Sequence, residues 1–135
     1  MKEMIKTPDR WQVLGIDVDG TLTDGLDCFT EEECRVVKPD LEMIECVNKA
    51  YRGNYIIITS ARRIDLIPET LRWLDRYNVL YNGYFPKKPA IDMLVDDRAV
   101  SPEQFKEMVK KGEICLDKRG IVKPPEDDGH EPNMG

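Results

Sequence analysis

The sequence predicts an α/β fold built on a largely parallel sheet. Three observations carry that expectation. Short apolar runs alternate along the chain with segments of helical spacing, the pattern that places helices over a parallel sheet. One run, Tyr55-Ile56-Ile57-Ile58-Thr59, is apolar and β-branched up to its last residue, which suits a strand covered on both faces. Polar residues then collect where the expected strands end, at the sheet edge where such folds hold their sites.

Taken in order, Gln12-Val13-Leu14-Gly15-Ile16-Asp17 reads as the first strand. Residues 20–38 read as a loop or small hairpin, with Cys28-Phe29 and Arg35-Val36-Val37 as short strands. Pro39-Asp40 opens a helix: proline suits a first turn, and Asp40 sets a negative charge at the positive end of the helix dipole. Leu41, Ile44, Val47 and Tyr51 recur at helical spacing, and Gly53 ends the run. After the second strand, Tyr55–Thr59, Pro68 opens a helix with Leu71, Leu74 and Tyr77 facing inward. Val79-Leu80-Tyr81 reads as a third strand closed by Asn82-Gly83, and Ile91 to Val95 as a fourth. Ser101-Pro102-Glu103-Gln104 is a capped helix start, with serine at the cap and glutamine three residues on. Gly112 ends that helix, and Ile114-Cys115-Leu116 is expected as an edge strand. The expectation is one domain over 1–117 and a flexible acidic tail over 118–135, where Glu126, Asp127, Asp128 and Glu131 cluster.

Composition narrows the function. The chain has 135 residues, 41% of them hydrophobic, enough for one packed core. The net charge of −6 makes it a poor non-specific partner for nucleic acid, though not for one phosphorylated end. No apolar run reaches the roughly 18 residues of a membrane span. MKEMIKTPDRW lacks the apolar stretch of a signal peptide, so the expected compartment is the cytoplasm. Cys28, Cys34, Cys46 and Cys115 form no CxxC pair, and the one histidine, His130, lies in the tail. Zinc sites, cysteine phosphatases and histidine phosphatases are therefore not expected.

One stretch demands a site. Ile16-Asp17-Val18-Asp19-Gly20-Thr21-Leu22-Thr23 ends an apolar strand in two carboxylates one residue apart. Asp96-Asp97 ends the expected fourth strand, Thr59-Ser60 ends the second, and Lys87-Lys88 precedes the fourth. Carboxylates cannot crowd together without a cation, and oxygen-only ligands favour Mg²⁺. Metal, ammonium and hydroxyl would meet the oxygens of a phosphoryl group, leaving one carboxylate to attack phosphorus.

These residues carry a resemblance. IDVDGTLT, then IIITS, a lysine and VDDR resemble, in order, the four motifs of the haloacid-dehalogenase-type phosphohydrolase superfamily. KPDLEMIECV, ITSARR, ETLRWLDRYNVLY and KKPAIDMLVDDRAVSPEQF look like small bacterial and phage members described as capsule-biosynthesis or sugar phosphatases; the resemblance spans roughly residues 12–107. It implies a Rossmann-like three-layer sandwich without a cap domain, since 20–38 and 60–87 are too short to hold one. It implies Asp17 as nucleophile and Asp19 as general acid, then base. Thr59 would bind the phosphoryl group, with Ser60 beside it, and Lys88 rather than Lys87 would stabilise the transferring charge. Mg²⁺ would be held by Asp17, Asp96 and the Asp19 carbonyl, with Asp97 further out or acting through water. Ala61 stands where some relatives carry arginine, which leaves open whether Arg62 or Arg63 binds substrate.

The expected activity is thus Mg²⁺-dependent hydrolysis of a small phosphomonoester, such as a sugar phosphate, through an aspartyl-phosphate. An open site also allows a homo-oligomer that borrows a lid. The alternatives are a phosphatase for nucleotides or nucleic-acid 3′ ends, and a non-catalytic phosphate-binding or signalling module. In receiver-type signalling domains the acid pair opens the chain and the phosphorylated aspartate comes later; here DxD comes first and DD last.

Overall fold

The computed structural model of the chain describes residues 11–25, 27–87, 93 and 95–114. Strands β1 (Val13–Asp17), β2 (Tyr55–Thr59) and β3 (Gly83–Phe85) lie side by side in that order, all parallel. Helices α1 (Glu31–Val36), α2 (Leu41–Tyr51), α3 (Ile67–Arg76) and α4 (Pro102–Lys110) flank the sheet, with α2 against α4 and α1 against α3. This is the α/β sandwich the sequence predicts, Rossmann-like in its parallel strands and helical crossovers.

The core forms where the periodicities meet. Ile56 and Ile58 point to one face of β2 and are fully buried. They join Ile16, Val18 and Leu22 from β1 and the turn after it, and Met43, Val47 and Ala50 from α2. Trp73 and Leu74 from α3 and Phe105 and Val109 from α4 complete the cluster. The Trp73 indole N–H donates to the Val37 carbonyl at 2.9 Å, so the largest core side chain leaves no buried donor unmet. The three expected helix starts hold: the Asp40 side chain accepts from the Met43 N–H, Pro68 sits in the first turn of α3, and Ser101 and Gln104 form a reciprocal capping box.

Three local expectations are corrected. Residues 28–37 are not short strands: Glu31–Val36 is a helix, because Thr30 and Glu33 form a capping box at its start. The third strand is not Val79–Tyr81 but Gly83–Phe85. Asn82 takes the earlier place beside β2 instead, accepting from the Ile56 N–H through its side chain at 2.7 Å and donating its own N–H to the Ile56 carbonyl at 2.8 Å. Gly83 then passes so close to β2 that a Cβ there would sit 3.3 Å from Ile57 Cδ1. In α2, Leu41 faces solvent, and Met43 and Cys46 are the buried positions that the spacing did not single out. The expected fourth strand and the edge strand 114–116 fall largely, and the tail 118–135 wholly, outside the described residues. Among the described residues, no helix is long and apolar enough to cross a membrane.

Candidate active site

The parallel register of β1 and β2 sets Asp17 directly opposite Thr59, each the last residue of its strand. Neighbouring strands run about 4.8 Å apart, so the two side chains leave the sheet edge together. Beyond Asp17 the chain makes one wide turn, Val18–Leu22, closed by the Thr23 N–H on the Val18 carbonyl at 3.1 Å. Gly20 sits in that turn at φ 80°, a left-handed conformation costly for other residues, and its N–H donates to Thr23 Oγ1 at 3.0 Å. The glycine of the DxDG stretch is thus a steric requirement of the turn.

Asp17, Thr21, Thr59 and Asp96 line one cavity of about 510 Å³, whose far wall is Arg98 and the start of α4. The first acid and the late one therefore face the same space, although 79 positions separate them in the chain. Asp96 accepts from Arg98 three times: from its backbone N–H at 2.8 Å, from Nε at 3.1 Å and from Nη2 at 3.0 Å. Those bonds hold its carboxyl down to about 2, well below the usual carboxylate range. Asp97 is fully exposed, 4.0 Å from Arg98 Nε. Lys88 lies outside the described residues; Lys87 is exposed.

Two residues past Asp17 in the wide turn, the Asp19 side chain meets the loop after β2. Its two oxygens accept from Arg62, Oδ2 from Nε at 3.1 Å and Oδ1 from Nη2 at 2.6 Å. The Arg62 side chain is only 2% exposed, and its remaining terminal nitrogen, Nη1, donates to Thr70 Oγ1 at 2.9 Å. The Thr70 hydroxyl in turn donates to the Leu66 carbonyl at 2.8 Å. Burial works against the Arg62 charge, but the Asp19 carboxylate outweighs it and the guanidinium binds its proton more tightly than usual. Ser60 is buried too: its Oγ accepts from the Arg62 N–H at 3.1 Å, and its own N–H donates to the Phe85 carbonyl at 3.2 Å. Two of the residues expected at the substrate, Ser60 and Arg62, spend these groups on shaping the loop. Arg63 turns outward, pairing with Asp65 and donating to the Phe29 carbonyl.

The segment between the wide turn and α2 lies over this arrangement. It is pinned at its base by the Asp24 N–H on the Lys38 carbonyl and the Asp40 N–H on the Leu22 carbonyl, each at 2.8 Å. Cys28 and Cys34 pack with Leu66 into a small apolar cluster beside Arg62. Burial pushes the Cys28 thiol up to about 11 and the Cys34 thiol upward as well.

Among the described residues no three carboxylates or other metal-binding side chains stand together. Asp19 is turned to Arg62, and Asp96 to Arg98. The lining still suits Mg²⁺: Asp17 and Asp96 both border one cavity, and Mg²⁺ typically takes one or two carboxylates and completes its shell with water and substrate phosphate.

No protein-family model matches the chain, and no curated protein sequence does. Solved structures do. A crystal structure of a target protein from Vibrio cholerae aligns over 76% of this chain and 96% of its own, with 29% identity and a TM-score of 0.64. A chain of the Pnkp1/Rnl/Hen1 complex aligns over 74% of this chain, with 18% identity and a TM-score of 0.50. A chain of the Pnkp1/Rnl/Hen1 RNA repair complex aligns over 84%, with 15% identity and a TM-score of 0.51. This chain spans about a third of those last two, 34% and 35%, and at such identity the likeness is one of fold.

Three residues at the site were not singled out from the sequence. Thr21 stands inside the DxDGT stretch, which was its signal. Arg98 follows the late acid pair directly. Thr70 had no signal: one buried threonine in a helix looks like any other until Arg62 is seen against it.

Proposed function

We propose that the chain is a phosphomonoester hydrolase with Asp17 as its nucleophile. The observation that carries this reading is the shared edge: Asp17 and Thr59 are register partners, and both face the cavity that Asp96 lines. A carboxylate, a hydroxyl and a second carboxylate around one cavity suit a phosphoryl group and the cation that accompanies it.

In the proposed reaction an Asp17 oxygen attacks phosphorus, and the bond from phosphorus to the ester oxygen breaks. Asp19 gives that oxygen its proton. Water then attacks the phosphorus of the aspartyl-phosphate, Asp19 takes the proton of the water, and orthophosphate leaves with Asp17 regenerated. Thr59 donates a hydrogen bond to the phosphoryl oxygens, and Lys88 supplies a positive charge to them. Asp17, Asp96 and the Asp19 carbonyl would hold Mg²⁺, with Asp97 acting through water; the ion's contribution is to neutralise charge on the phosphoryl oxygens. The substrate we favour is a small phosphorylated metabolite of the sugar-phosphate kind, because the chain carries a net charge of −6 and a polyanion would be repelled. A phosphorylated nucleic-acid end is the second reading, favoured by the shared fold with chains of an RNA repair complex.

A phosphate-release screen over sugar phosphates, nucleotides and 3′-phosphorylated oligomers, with Mg²⁺ or with EDTA, tests the proposal. Turnover is expected with Mg²⁺ alone, and Asp17→Asn, nearly isosteric but not nucleophilic, should abolish it. Wild-type turnover by Asp17→Asn rejects the mechanism. Preference for the oligomers, falling steeply with salt, would select the second reading.

A further inference from the structure

We infer that Arg62 is a positioning residue for Asp19 rather than a substrate contact, and that Thr70 positions Arg62 in turn. The inference rests on the proposed acid–base role of Asp19 and adds to it the parts that aim the carboxyl group.

The geometry is a brace of three links. Arg62 grips Asp19 with two parallel hydrogen bonds from Nε and Nη2, the fork-to-fork contact that fixes both the distance and the plane of a carboxylate. The fork is itself fixed, because Nη1 is taken by Thr70 Oγ1 and the Thr70 hydroxyl by the Leu66 carbonyl. The Arg62 backbone is tied separately, by its N–H on Ser60 Oγ. Arg62 and Thr70 are buried, with 2% of the Arg62 side chain and none of Thr70 exposed. A guanidinium so placed has no open face for a phosphate. Asp19 differs: its side chain is 14% exposed. Each carboxyl oxygen has two acceptor sites, and Arg62 takes one of each, so the outward side of the group stays available for a proton to pass to or from a leaving oxygen.

Brace and substrate contact predict different kinetics. A residue that aims a general acid matters in proportion to how much the leaving group needs a proton. Phenyl phosphate and p-nitrophenyl phosphate are nearly the same shape, but phenolate is the poorer leaving group and depends more on protonation. We expect Arg62→Lys, which keeps the charge and loses the fork, to lower kcat on phenyl phosphate by roughly 30-fold and on p-nitrophenyl phosphate by no more than about 3-fold, a partial loss of the roughly 10²–10⁴-fold that general acid catalysis supplies. KM should stay unchanged for both. Thr70→Val, which keeps shape and removes the hydroxyl, should show the same asymmetry at about 5-fold on phenyl phosphate. Circular dichroism establishes folding of each variant, and if Arg62→Lys does not fold, Thr70→Val decides. A raised KM with kcat unchanged would make Arg62 a substrate contact and overturn the inference. Equal losses on both esters would make it merely structural and overturn it as well, while leaving the phosphatase reading intact. A wild-type protein that cleaves neither ester nor any phosphomonoester of the wider screen, with or without Mg²⁺, rejects the phosphatase reading and the brace with it.

Discussion

Asp19 and Arg62 hold the most consequential pair of charges in the described chain. A buried ion pair adds little net stability, because removing two charges from water costs nearly what their attraction returns. Removing one partner is another matter, since the survivor is left buried and unmatched. Asp19→Asn should therefore lower the unfolding free energy by about 3 kcal/mol, read as a lower urea midpoint with an unchanged slope. The thiols nearby give a second prediction. The Cys28 thiol ionises near 9.0 when unfolded and only near about 11 when folded. Between those values the unfolded chain has released a proton that the native chain keeps, so stability falls as pH rises from 9 to 11. Cys28→Ala should flatten that fall in urea midpoint relative to the parent; identical profiles would contradict it. The pairing of Asp17 with Thr59 was legible because both close an apolar run and parallel strands align their ends. The brace was not legible, because Arg62 meets Asp19 across 43 positions and nothing in Ala61-Arg62-Arg63 says which arginine turns inward.

Among the elements, α1 teaches most. Cys28-Phe29 and Arg35-Val36-Val37 look like strand fragments because they are short and apolar. Between them lay a stronger instruction, Thr30 followed three residues later by Glu33. Glu33 Oε1 accepts from the N–H groups of Phe29 at 2.7 Å and Thr30 at 3.2 Å, while Thr30 Oγ1 accepts from the Glu33 N–H at 3.1 Å. A helix of six residues is too short to stand on propensity, so these bonds and the burial of Cys34 against Leu66 sustain it. Thr30→Ala is expected to cost about 1 kcal/mol, measured by thermal or urea unfolding. A greater loss of far-UV helical signal than six residues can supply would show that α1 supports its neighbours too. The same reading succeeded at α4, where Ser101, Pro102 and Gln104 gave cap, first turn and box in the usual order. It failed at β3 because an asparagine can imitate a strand residue: Asn82 satisfies the Ile56 backbone groups by itself, which postpones the strand to Gly83.

Across the whole molecule, stability and chemistry are drawn from different residues. The core cluster is aliphatic and aromatic apart from Met43 and Cys46 and contains none of the acids at the sheet edge. Chelation by EDTA should therefore stop the proposed turnover while far-UV circular dichroism stays native; unfolding on chelation would mean that the ion is part of the fold. Light scattering bears on the borrowed-lid idea: a fully active monomer would remove it. Local spacing determined the order of elements, the parallel sheet and the strand ends that bear Asp17 and Thr59, because periodicity and breakers act within a few residues. Only the folded chain decided where each polar group settled: Asp17 and Asp96 along one cavity, with Asp96 held by Arg98, Asp19 on Arg62, and Ser60 in its own loop. A buried charge settles where its counter-charge and hydrogen bonds are, and those partners come from segments that meet only when the sheet and its helices have closed.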